Sequence, residues 1–141
     1  LPSGNGVASS ALLSIGNLMS DHRFIEAAHG TLKWARVALE RLPTEHSALV
    51  ESLQQFNYPS QLIILRGPDE EIANWKKSLS DQYAPWRQIY CIPYSVKNAI
   101  PPYLPGLISA EKQQTPLAYV CQDMACSLPI SSLEELKNIV N

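Results

Sequence analysis

Cys121 and Cys126, four residues apart in Cys121-Gln-Asp-Met-Ala-Cys126, are the sharpest chemical feature of the sequence. Two thiols at this spacing, just past the end of a strand-like run, can close a disulfide across a turn. Such a bridge needs Cα atoms within about 7 Å, which a tight turn permits. The same pair can hold a soft metal, or it can be two buried cysteines acting as small hydrophobes. Structural zinc wants four ligands. No second cysteine pair is present, and His22, His29 and His46 lie far upstream in helical segments. No metal and no cofactor are therefore assigned, and the redox or disulfide reading stays open beside the packing one. Cys91, inside an apolar run, reads as core.

A second candidate is Ser3-Gly4-Asn5-Gly6, small polar residues ahead of a helix. Such an end can cap the helix through Asn5 or bind an anion through free amides. It is not a P-loop, because it lacks a Gly-Lys-Ser/Thr ending and a preceding strand. The histidines show no carboxylate partner at a spacing that would make a general base. Asp69, Glu70 and Glu71 open a helix after a strand, where their charge suits the helix dipole and opposes a phosphate. No Gly-rich dinucleotide fingerprint follows that strand. Trp34 and Trp75 fall at helical positions that predict core packing, and with Trp86 they are too few for an aromatic platform.

The elements that must position these groups follow from periodicity. Val7, Ala8, Ala11, Leu12, Ile15, Leu18 and Met19 recur at helical spacing, predicting a helix over 6–19. Ser20-Asp21 breaks it and caps a helix over 22–41, with Phe24, Ile25, Ala28, Leu32, Ala35 and Leu39 inward. Pro43-Thr44 starts a third helix over 45–56, which Tyr58-Pro59 ends. Short turns predict antiparallel neighbours. The period then changes. Gln61–Arg66 and Gln88–Ile92 read as strands around a helix over 70–83 that starts on Asp69 and buries Ile72, Trp75, Leu79 and Tyr83. This is the spacing of a parallel βαβ unit. Leu117–Cys121 is a third strand. Ser131-Ser132 with Glu134 and Glu135 sets a capping box for a last helix over 133–140. Between them, Pro93 to Pro116 is a proline-rich irregular connection, long enough to predict a surface or contact role.

The expected fold is mixed α+β. Residues 1–58 form antiparallel helices, and residues 59–141 form a small three-stranded, mainly parallel α/β segment. The bulk composition agrees with a packed chain: 45% of the 141 residues are hydrophobic and 17% charged. Net charge is −2 and the basic residues are scattered, so the basic stripe of a nucleic-acid binder is missing. No apolar run approaches 18 residues, so no membrane helix is expected. Three cysteines are too few for a secreted disulfide scaffold, which makes a reducing, cytoplasmic setting the default. The opening Leu1-Pro2-Ser3-Gly4 lacks Met and reads as a cut inside a longer chain.

Two stretches carry a resemblance. Pro2-Ser3-Gly4-Asn5 opening a helix pair, and Ala118-Tyr119-Val120-Cys121 with Ala125-Cys126 and Pro129-Ile130 before a Leu/Glu-rich helix, resemble the carboxy-terminal end of one family. These are the thioredoxin-domain-containing proteins related to spermatogenesis-associated protein 20. The resemblance spans essentially the whole chain. It implies an upstream thioredoxin-like domain and an α/α toroid similar to six-hairpin glycosidases and sugar epimerases. The three helices would then be the last hairpins of that toroid. Ser3 and Asn5 would line its cleft, and Cys121 and Cys126 would match the family's cysteine pair.

Three functions follow as expectations. One is a carboxy-terminal module, structural for the toroid, with a thiol redox role. Another is part of a carbohydrate-active enzyme, whose catalytic acids would lie upstream because no Asp or Glu here forms a recognisable pair. The third is a protein-interaction domain using the proline-rich connection. The expected partners are upstream domains of the same parent chain, or a second copy of the fragment, with no nucleic acid and no membrane.

Overall fold

The computed structural model describes residues 3–58, 60–96, 115–122 and 125–140. The chain divides into two compact units, Leu1–Pro59 and Ser60–Asn141.

The first unit is helical: α1 (Gly4–Met19), α2 (His22–Arg41), a 3-10 turn (Pro43–His46) and α3 (Ser47–Asn57). Ser20 ends α1 at φ 50°, a left-handed position, and the Asp21 amide donates back to the Gly16 carbonyl at 3.0 Å. Asp21 then caps α2 as expected, its side chain accepting from the Arg23 amide at 3.0 Å. Gly16 meets Ile25, and the Ser9 hydroxyl donates to the Ala28 carbonyl at 3.3 Å, so α1 and α2 run antiparallel. Gly6 lies against Ala48, and Gln55 donates to Ser14, so α3 runs parallel to α1. A Cβ on Gly6 would sit 2.6 Å from the Ala48 carbonyl carbon, so this glycine sets how closely the helices approach. Leu32, Ala35 and Leu49 form the buried centre, with Leu39, Leu53 and Phe56 packed on it. Each fully buried Leu contributes about 1.5–3 kcal/mol. His29 stacks on Phe56 at 5.0 Å between ring centroids.

Two local expectations are corrected here. Asn5 does not cap α1: Ser3 occupies that position and makes no side-chain cap bond, while Asn5 is already helical. Trp34 is not core but 76% exposed, because the stripe of Ala28, Leu32 and Ala35 on α2 faces inward and leaves Trp34 off it.

The second unit holds a sheet in the order β2-β1-β3-β4: β1 (Gln61–Gly67), β2 (Arg87–Pro93), β3 (Leu117–Gln122) and β4 (Ala125–Cys126). The parallel β1–β2 pair, joined through α4 (Asp69–Ser80), is the expected βαβ unit. The remaining pairings, β1–β3 and β3–β4, are antiparallel. The sheet is thus four-stranded and mixed, not three-stranded and mainly parallel. The fourth strand is only two residues long, and β3 returns antiparallel from a connection long enough to allow either direction.

Period-two alternation sorts the strand side chains. Ile63 and Leu65 of β1 and Ala118 of β3 share one face with Ile72 and Leu79 of α4 and with Leu136 and Val140 of α5 (Leu133–Val140). Trp75, Cys91 and Val120 pack against that cluster partly buried. The opposite face carries Leu62, Ile64, Arg66, Leu117, Tyr119 and Cys121, all buried. α4 starts after Pro68 and stops at Ser80, so Asp69 is a first-turn residue and not its cap, and Tyr83 stands beyond the helix at 90% exposure. Ser132 caps α5, its hydroxyl accepting from the Glu135 amide at 3.4 Å.

Candidate functional site

The cysteine pair is assembled by the hairpin of β3 and β4. Cys121 and Cys126 stand directly opposite each other in the antiparallel register. They form a disulfide with Cα atoms 3.9 Å apart. β3 lies between β1 and β4, and Cys121 pairs with Leu62 on its other side, so this cysteine is held by the sheet and only 4% exposed. Cys126 is half-buried on the outer strand. Beyond it, the Ser127 amide donates to the Val120 carbonyl at 2.8 Å, and Ala118 and Ile130 exchange two backbone bonds. The segment after β4 therefore stays zipped to β3 whatever the state of the sulfurs. Chemically, the site can accept two electrons and two protons and give two thiols.

Cys91 is not a third member. It sits on β2, half-buried, its Sγ 3.7 Å from the Ile72 carbonyl oxygen. Burial pushes its thiol pKa up, more than the Lys76 charge pulls it down, and this rise keeps the thiol protonated and a poor nucleophile. Among the described residues no cluster of His, Cys, Asp and Glu could hold a metal ion.

The amino-terminal candidates separate. Asn5 lines an open groove of about 420 Å³ with Ala27, Gly30, Thr31 and Trp34 of α2. Ser3 is not among those lining residues; it is half-buried, and its carbonyl accepts from the Val7 amide at 3.1 Å. The expected contact surface from Pro93 to Pro116 falls mostly on residues 97–114, outside the described residues.

One group escaped the sequence reading, which took Arg66 only as the end of a buried strand. Arg66 is 1% exposed on β1. Its Nη1 donates to the carbonyls of Ile92 (3.3 Å), Pro93 (2.7 Å) and Val96 (3.4 Å). Its guanidinium carbon lies 5.3 Å from the centre of the Tyr94 ring. Among the described residues its Nε has no hydrogen-bond partner. The only available signal was a cation closing an otherwise apolar run.

Compared with family models, curated proteins and solved structures, the chain gives no match.

Proposed function

We propose that this chain is a structural module of a larger thioredoxin-domain-containing protein, and that its α/β unit carries a reversible thiol–disulfide clasp at Cys121 and Cys126. The observation that carries the reading is the bridge itself, set on directly opposed residues of an inner and an outer strand. In the exchange, a partner dithiol of the thioredoxin type attacks Sγ of the more exposed Cys126. The Cys121 thiolate leaves, and the partner's second thiol resolves the mixed disulfide. The hairpin gains two electrons and two protons, and the partner becomes a disulfide. A cytoplasmic setting suits such cycling, since glutathione and thioredoxin there reduce any bridge they can reach.

The structural half of the proposal draws on α1. Its 16 residues include no charged side chain, yet Val7 and Ile15 are 56% and 43% exposed. An uncharged helix that exposes Val7 and Ile15 suits a place inside a larger assembly. Upstream hairpins of the parent chain, or a second copy, would cover it.

An equilibrium redox titration in a Cys91→Ser background tests the clasp. Exchange with a thioredoxin-like domain predicts a midpoint between about −180 and −280 mV, whereas a midpoint below about −300 mV marks a permanent structural bridge and removes the relay.

A second reading, a carbohydrate-contacting surface, is favoured by one observation. The exposed Trp34 indole stands beside Asn5 and Thr31 in one groove, an apolar ring next to hydrogen-bonding groups.

A further inference from the structure

We propose that Arg66 is the anchor of a carboxylate-binding site at the carboxyl end of β1, independent of the cysteine clasp. A buried cation is normally paired, because leaving water is costly for a lone charge. Arg66 is buried, yet among the described residues no carboxylate forms an ion pair with it. The backbone carbonyls of Ile92, Pro93 and Val96 all engage one nitrogen, Nη1. They fix the plane of the guanidinium and leave Nε unsatisfied. Nε and Nη2 form the side edge of the fork, which matches the two oxygens of a carboxylate. The Tyr94 ring holds the guanidinium from its face, and the Tyr94 hydroxyl is itself anchored by donating to the Thr115 carbonyl at 2.9 Å. The arrangement is a cation immobilised in one orientation with its Nε–H unpartnered among the described residues.

The position in the fold supports a ligand. β1 has its parallel partner β2 on one side and the antiparallel β3 on the other, and the site lies where the parallel strands end. Open α/β sheets bind ligands in the crevice outside the carboxyl ends of their strands, where the strand order reverses. The charge balance selects the class of ligand. α4 opens directly after β1 with Asp69, Glu70 and Glu71 in its first turn. These repel any anion, a phosphate dianion about twice as strongly as a carboxylate, and a single carboxylate neutralises the single charge of Arg66. Because Arg66 is 1% exposed, the carboxylate group enters a desolvated contact that added salt screens poorly.

The test titrates the full chain with sodium acetate, using sodium chloride and inorganic phosphate at equal ionic strength as controls. The Arg66 Nε–H resonance is followed by NMR, and the thermal midpoint is followed in parallel. The expected result is a saturable displacement of the Nε–H signal and a saturable rise in midpoint with acetate alone. Arg66→Met should abolish the rise; it keeps the side-chain length and removes a buried charge, a change proteins often tolerate. Tyr83→Phe, at an exposed side chain beyond the far end of α4, should retain the acetate response. No displacement of Nε–H by acetate overturns the proposal, as does an equal response to chloride or phosphate.

Discussion

Trp34 presents most of its indole to solvent, so it has little packing to lose. Trp34→Ala should change stability by no more than about 0.5 kcal/mol. If the groove contacts sugars, saccharides should alter tryptophan fluorescence in the native chain, and both Trp34→Ala and Asn5→Ala should weaken that response. Unchanged saturation curves in both variants would remove the groove from consideration. At this scale the sequence was unevenly informative. The Cys121–Cys126 spacing was legible because hairpin geometry alone brings such a pair together. Trp34 was misread because helical period places a residue on a face without saying how wide the buried stripe is. Arg66 did not stand out because its interest lies in having no carboxylate ion pair among the described residues, and partners come from tertiary structure.

Among the elements, the helices and the first three strands could be read from period and punctuation: the Asp21 cap, the Ser132 cap and the βαβ spacing all act locally. The direction of β3 and the two-residue β4 could not, since neither leaves a periodic trace. Glycines on the helices separate local preference from packing. At Gly6 a Cβ would meet the Ala48 backbone at 2.6 Å, whereas at Gly30 it would meet nothing within 4 Å. Gly6→Ala should therefore destabilise the helical unit by about 1–3 kcal/mol, through overpacking against a backbone that must move. Gly30→Ala should stabilise it by about 0.5–1 kcal/mol, because alanine loses less conformational freedom in a helix interior. Urea unfolding followed by circular dichroism reads both, and like signs for the two substitutions would contradict this account of the α1–α3 contact.

For the molecule as a whole, the groups among the described residues whose titration burial shifts upward lie in the second unit. Burial raises the pKa of Tyr90, Tyr94 and Tyr119 above the ordinary 10.0, and of Cys91 above 9.0. A raised pKa means that the folded state holds its proton more tightly than the unfolded one. The resulting stability is fully present below the unfolded values and is lost as pH rises through the folded ones. Stability of the second unit should accordingly begin to fall above about pH 9 and fall faster above about pH 10. Tyrosinate absorbance should rise together with the loss of sheet signal. Tyrosine ionisation complete before any loss of sheet signal would count against the burial argument.

The bridged hairpin also bears on how the sheet meets other chains. β4 is the outermost strand beyond β3, and at two residues it shields only a short part of its neighbour. The apolar run of Leu117 to Cys121 is the kind of edge that accepts a foreign strand when uncovered. With the sulfurs joined, Ala125 and Cys126 stay seated on Gln122 and Cys121. With them reduced, that two-residue seat depends on its short ladder alone, while the bonds of Ser127 to Val120 and of Ile130 to Ala118 still cover the rest of β3. The oxidation state of the two sulfurs thus governs only the Cys121 end of this edge, and reductant would open that end to a foreign strand while leaving Ala118 and Val120 covered.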